Sequence, residues 1–283
     1  MAFKSKKYLS ITIMGLTFGV ASGSVMAAST ALSVNEISRF LIRGLDPASV
    51  SFTFSNDTAA TEDGGTGGVD AMDAPAACIG DCVGWDNEFY SHPSKTEFSY
   101  GDAQIIDDDV INGTGAASSI GEVVVNDGIA HAAGSNVMTS TLRLDDSAQL
   151  LFLFVADAHM QTSISNIKLG SSAANMFFNI SLTDIRNNKV FSWSPDGAKG
   201  GIFGGIENSD SFDLNYGITG NTIYDPKAGV FEAATNKLDA GYYTLNIKME
   251  NQVNGTYVPI PAAAWLFGSG LLGLVGIARR KKV

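Results

Sequence analysis

Cys78 and Cys82, separated by Ile-Gly-Asp, are the two cysteines of the 283-residue chain. A thiol pair can close a disulfide, shuttle electrons or hold a metal, and its spacing bears on which. Cys-x-x-x-Cys is not the Cys-x-x-Cys of thioredoxin-like motifs, and no second pair completes a zinc site. The run Asp107-Asp108-Asp109-Val-Ile-Asn112-Gly113 offers oxygens of the kind a hard cation such as calcium takes. It departs from the EF-hand order, because an isoleucine stands where an oxygen ligand belongs and Gly113 comes one place late. A solvated acidic turn is expected, with Asp107, Asp108 and Asp109 as candidates if calcium binds. No other metal and no cofactor is expected.

The three histidines, His92, His131 and His159, fall on different segments. There is no His-Glu-x-x-His and no Gly-x-Ser-x-Gly elbow, so each is read as a surface or loop residue. A Ser/His/Asp triad assembles from distant positions, which keeps a hydrolase among the readings. Trp85, Trp193 and the tyrosines at 90, 100, 216, 224, 242, 243 and 257 could present sugar-binding faces flanked by Asp and Asn, or could fill a core. The first use predicts a row of exposed rings on one sheet face. Burial of both Trp85 and Trp193 would count against it.

The elements that must position these groups are β-strands. Val50–Ser55, Val137–Leu144, Ser163–Leu169 and Tyr243–Met249 alternate apolar and polar with a period of two. Leu150–Ala156 and Met176–Leu182 are continuously apolar or aromatic, as central strands are. Turn-forming clusters separate them: Asn126-Asp-Gly128, Asp145-Asp146, Arg186-Asn-Asn-Lys189, Pro195-Asp-Gly197 and Asp239-Ala-Gly241. The fold class is therefore all-β, an antiparallel β-sandwich of about nine to eleven strands. Residues 33–44 also carry capping-box spacing in Ser33 and Glu36, with Gly44 and Pro47 to end a short helix, and read nearly as well as a strand. Residues 56–84 are small, acidic and glycine-rich and predict a long exposed loop, with a second, mobile loop at 199–205.

The two ends have a different character. Lys4, Lys6 and Lys7 precede an uncharged stretch of about a dozen residues and then small residues through Ala27, the layout of a secretory signal peptide over 1–27 that signal peptidase would remove. The exported domain then spans 28–257. An exported chain folds in an oxidising compartment, so a local Cys78–Cys82 disulfide is the leading reading of the thiol pair, worth only about 2 kcal/mol for so short a loop. At the other end, Val258, Pro259, Ile260, Pro261 and Ala262 lead into an uncharged run at 262–278, followed by Arg279, Arg280, Lys281 and Lys282. As a helix this run is about 26 Å long, the low end for crossing a hydrocarbon core of roughly 30 Å. The four cations place the tail in the cytoplasm and all that precedes it outside. The prolines leave an extended, protease-accessible linker before the membrane.

The order of proline-containing motif, apolar span and basic cluster over 258–283 resembles the PEP-CTERM class of sorting signals. The nearest form is the VPLPA type, which the chain matches except at Ile260. The resemblance implies a Gram-negative host, recognition at 258–262 by an exosortase-type membrane enzyme, and passage through an inner-membrane intermediate to the cell surface or an exopolysaccharide matrix. It says nothing of the domain between the signals. The three lysines near the N-terminus and the four cations of the tail leave 11 Lys and Arg against all 29 Asp and Glu, so the exported part carries a net −18. Such a domain repels nucleic acid and anionic membrane surfaces. The function expected is a non-enzymatic, membrane-anchored or processed surface component with a structural or adhesive role. The alternatives are a carbohydrate-binding module for exopolysaccharide, and an extracellular polymer hydrolase.

Overall fold

A computed structural model describes residues 29–45, 50–66, 70–72, 78–79, 98–107, 110–258 and positions 267, 270 and 271. The first half of the chain forms β1 (Ser29–Gly44), β2 (Val50–Thr66), β3 (Asp70–Met72), β4 (Cys78–Ile79), β5 (Phe98–Asp107), β6 (Gly115–Val125), β7 (Gly128–Leu144) and β8 (Leu150–Ile164). The second half forms β9 (Gly170–Asp184), β10 (Lys189–Trp193), β11 (Ile202–Phe203), β12 (Gly205–Ser209), β13 (Gly217–Thr219), β14 (Thr222–Tyr224), β15 (Gly229–Thr235) and β16 (Gly241–Tyr257). Eleven of these strands have five or more residues; the excess over the expected number consists of five pieces of two or three residues.

The strands make two sheets, antiparallel except where the short β3 and β4 lie parallel to β5. The first runs β12-β15-β8-β1-β6-β5-β3, with β14 also on β8 and β4 on β5. The second runs β11-β10-β9-β16-β7-β2, with β13 also on β9. Strict alternation builds the second sheet: in β7, Ala130, Ala132, Met138, Leu142 and Leu144 are buried while His131, Thr141 and Arg143 are exposed. The inner faces meet through aromatic rings. Phe152 stacks on Phe191 across the sheets with centroids 5.1 Å apart, and Phe154 lies 5.0 Å from Phe178 and 5.6 Å from Trp193.

Several expectations need adjustment. Residues 33–44, which read as helix or strand, lie within strand β1. Ser33 accepts a 2.6 Å hydrogen bond from the Asn251 amide and donates to the Asn175 carbonyl at 3.0 Å, so the residue that would have capped a helix is a buried bridge between the sheets. A register shift after Ile37, with Arg39 at φ 54°, bends β1 where it leaves this seam. Residues 56–66 are not loop: β2 continues to Thr66 along β7, whose long free edge satisfies their backbone groups whatever their side-chain propensity. Ser163–Leu169 is strand only to Ile164. The Asn166 side chain there accepts from Lys168 N and its carbonyl from Leu169 N, closing a turn with Ile167 exposed.

A further correction concerns 199–205, expected as one loop: after an exposed turn at 199–200 the chain enters strand at Ile202. β11 belongs to one sheet and β12 to the other, and Gly204 between them carries the chain across. Its φ is +72°, and an added Cβ would lie 1.9 Å from the Val190 carbonyl oxygen. β13 and β14 cross between the sheets in the same way. Gly204→Ala is therefore expected to destabilise the protein by about 2–4 kcal/mol, combining left-handed backbone strain with a backbone clash. Urea denaturation checks this, and wild-type stability would show that the crossing is not tight.

Candidate functional site

Titratable side chains converge on the outer face of the first sheet. Glu36 on β1 and Asp157 on β8 are direct cross-strand partners, and Val34 is paired with His159 one step along the same face. Directly opposed antiparallel residues hold their Cβ atoms about 4.5–5.5 Å apart. The turn after β14 brings Asp225, whose Oδ1 lies 3.9 Å from His159 Nδ1, and Lys227, which pairs with Asp225. Burial, reinforced by the Asp157 carboxylate, pushes the Glu36 carboxyl up to about 7. Burial and then Asp225 raise Asp157, while burial lowers His159 below the usual imidazole value. His159 is 8 % exposed on a central strand, which corrects its reading as a surface residue. His131 is exposed on β7 as expected, and His92 lies outside the described residues. A carboxyl poised near neutrality beside a second carboxylate has the electrostatics of an acid–base pair. Neither carboxylate lines either of the two cavities described below.

A small apolar cavity, about 50 Å³, opens between the sheets and is lined by Phe40, Ile105, Val110, Met138 and Phe178, with the Asn136 amide as a polar member. Asn136 Nδ2 donates to the Ser118 carbonyl at 2.7 Å, while its Oδ1 has no partner among the described residues. Asn35, fully buried on β1, has neither amide atom partnered among them. Both belong to the Ser/Asn seam between the sheets, where Ser119 also bonds to Asn251.

The outer face of the second sheet is polar and open. Across β9, β16 and β7 it presents register rows Asn175–Gln252–Ala133, Phe177–Glu250–Ser135, Asn179–Lys248–Val137 and Ser181–Asn246–Thr139. Phe177 is 40 % exposed, with Lys248 Nζ 5.5 Å from its ring centroid. Lys248 pairs with Glu250 at 2.5 Å, and Gln252 also donates to Glu250. Asn175, Met176, Phe177, Lys248, Glu250 and Gln252 line a shallow depression of about 240 Å³.

The aromatic row expected of a sugar-binding face is not found among the described residues. Trp193 is fully buried, and its Nε1 donates to Glu207 Oε1 at 2.6 Å. Tyr243 and Tyr257 are buried, and Tyr224 is half-buried against Tyr216, their rings 4.6 Å apart. Tyr242 and Phe177 share the open face, but Tyr242 pairs with Arg143 and Phe177 with Glu250, eight residues further along β16. At about 3.4 Å per residue, that puts them roughly 27 Å apart.

The remaining sequence-derived positions meet the structure only in part. Cys78 is on β4, Cys82 lies outside the described residues, and no disulfide is seen among those that are described. Asp107 ends β5, Asp108 and Asp109 lie outside, and the described residues hold no metal-binding cluster. The signal peptide at 1–27, Trp85, Tyr90 and the basic tail at 279–282 also lie outside. Of the sorting motif only Val258 is described, and of the expected span 262–278 only 267, 270 and 271. No helix among the described residues is long and apolar enough to cross a membrane. What sequence reasoning missed is the Glu36–Asp157–His159–Asp225 cluster, which pairs segments far apart in the chain. No family model, no curated protein and no solved structure matches this chain.

Proposed function

We propose that this chain is an exported, surface-sorted protein of a Gram-negative bacterium, acting as a non-enzymatic structural or adhesive component of the cell surface or extracellular matrix. One observation carries the reading: the boundary between Tyr257 and Val258. Tyr257, the last residue of the central strand β16, is 1 % exposed, while Val258, the first residue of the sorting motif, is 62 % exposed. The motif thus begins directly after the last strand described, with its first residue open to a membrane enzyme. The net −18 of the exported part keeps such a domain soluble and monodisperse outside the membrane. Signal peptidase, an exosortase-type enzyme and the membrane itself are its partners in transit.

Deleting 258–283 tests this in cells. The truncated domain is expected to leave the surface-associated fraction and collect in soluble form, with its fold unchanged. A truncated chain retained at the surface like the full chain would contradict the proposal. A second reading, carbohydrate binding, is favoured by the amide-rich open face of β9, β16 and β7. The hydrolase reading has only Glu36 and Asp157 in its support.

A further inference from the structure

We infer that the outer face of β9, β16 and β7 is a binding surface for an uncharged polysaccharide, with Phe177 as its stacking platform; this rests on the carbohydrate-binding reading above. The face combines a partly exposed ring, with Lys248 Nζ 5.5 Å from its centroid, with polar side chains at fixed spacing. Asn175 faces Gln252, and Asn179 faces Lys248 across the β9–β16 ladder. Asn179 Nδ2 is held by Ser192, Trp193 and Ser194 and Gln252 Nε2 by Glu250, so these two amides offer their oxygens to sugar hydroxyls, which can donate as well as accept. The ring of Phe177 supplies an apolar surface for the C–H face of a pyranose. Sheet pleating fixes the spacing of these groups, because alternate residues of adjacent strands stand on one face without rearrangement.

Charge selects the class of glycan. Lys248 and Glu250 neutralise each other beside Phe177. An anionic chain would find its one nearby cation already paired and would face the repulsion of a domain at net −18. A cationic chain would find the one carboxylate lining the depression, Glu250, already paired with Lys248. A neutral chain meets neither obstacle. The depression of about 240 Å³ is shallow and open along the strands, so it suits a chain passing over it rather than an enclosed monosaccharide.

Affinity electrophoresis of the full-length protein in detergent tests this, in native gels cast with soluble neutral glucan, mannan, galactan or xylan, and separately with alginate. Retardation by at least one neutral polymer and not by alginate is expected. Phe177→Ala should weaken that retardation about tenfold. Gln252→Ala should weaken it less, and Ile223→Ala on the opposite sheet should leave it unchanged. All three positions are exposed, so thermal melts should match wild type. Retardation by a neutral polymer that Phe177→Ala and Gln252→Ala leave intact would overturn this surface while preserving the carbohydrate-binding reading. Retardation by alginate alone would overturn the neutral selectivity, and no retardation by any polymer would overturn the reading as well.

Discussion

Glu36→Gln raises the stability of the protein at pH 8 by about 2–3 kcal/mol and leaves it nearly unchanged at pH 4. The folded state holds the Glu36 carboxyl at about 7 against an ordinary value of 4.5, first through burial and then through Asp157. Below 4.5 the group is protonated in both states and costs nothing. Between 4.5 and 7 the unfolded chain releases a proton that the folded chain keeps, so stability falls as pH rises. Above 7 a buried carboxylate sits beside another, and the full penalty applies. Asp157, also raised, acts with the same sign. His159, lowered by burial, acts oppositely: it withdraws stability as pH falls below 6.5, where the unfolded chain takes up a proton first. Comparing the variant with wild type in urea melts from pH 4 to 8 isolates Glu36. Parallel curves would show that its side chain is not buried against Asp157.

Phe154→Ala is expected to cost about 3–5 kcal/mol, the largest loss from a single aromatic truncation in this fold. Phe154 lies on β8, beside β1 and β15, and its ring is the hub of the core. It stacks on Phe231 at 4.9 Å and on Phe40 at 5.3 Å, and tilts against Phe178 and Trp193 of the other sheet. The surrounding large rings are held by two sheets and cannot close over the space. Phe154→Leu keeps most of the volume and should cost less than half as much. Denaturant midpoints measure both. Equal effects of the two variants would mean that the rings do not form one packed cluster.

Much of the fold was legible because local rules decided it. Asp184 shows how: its carboxylate accepts from Arg186 N at 2.8 Å and Asn188 N at 2.9 Å, closing the turn that Arg186-Asn-Asn-Lys189 announces. Asn187 takes φ 61° there, as asparagine tolerates. The apolar runs at Leu150–Ala156 and Met176–Leu182 likewise became central strands, with Phe152, Phe154 and Phe178 fully buried. Reading failed where a distant partner decided the outcome. The polar, glycine-bearing stretch after Asn56 is strand because β7 lies beside it, and Ser33 can be buried because Asn251 donates to it and the Asn175 carbonyl accepts from it. Glu36 resembled a capping residue, and nothing in its neighbours along the chain pointed to Asp157. The candidate surfaces were the least legible part, since cross-strand register places Phe177 among amides and no local pattern encodes register.

The measurement that bears most directly on the central claim is the intact mass of the mature protein from wild-type cells and from cells lacking the exosortase-type enzyme. The wild-type chain is expected to start near residue 28 and end within or near 258–262, and the chain should reach Val283 when the enzyme is missing. A wild-type chain that still ends at Val283 would contradict sorting by processing, and one that also retains residues 1–27 would contradict export itself.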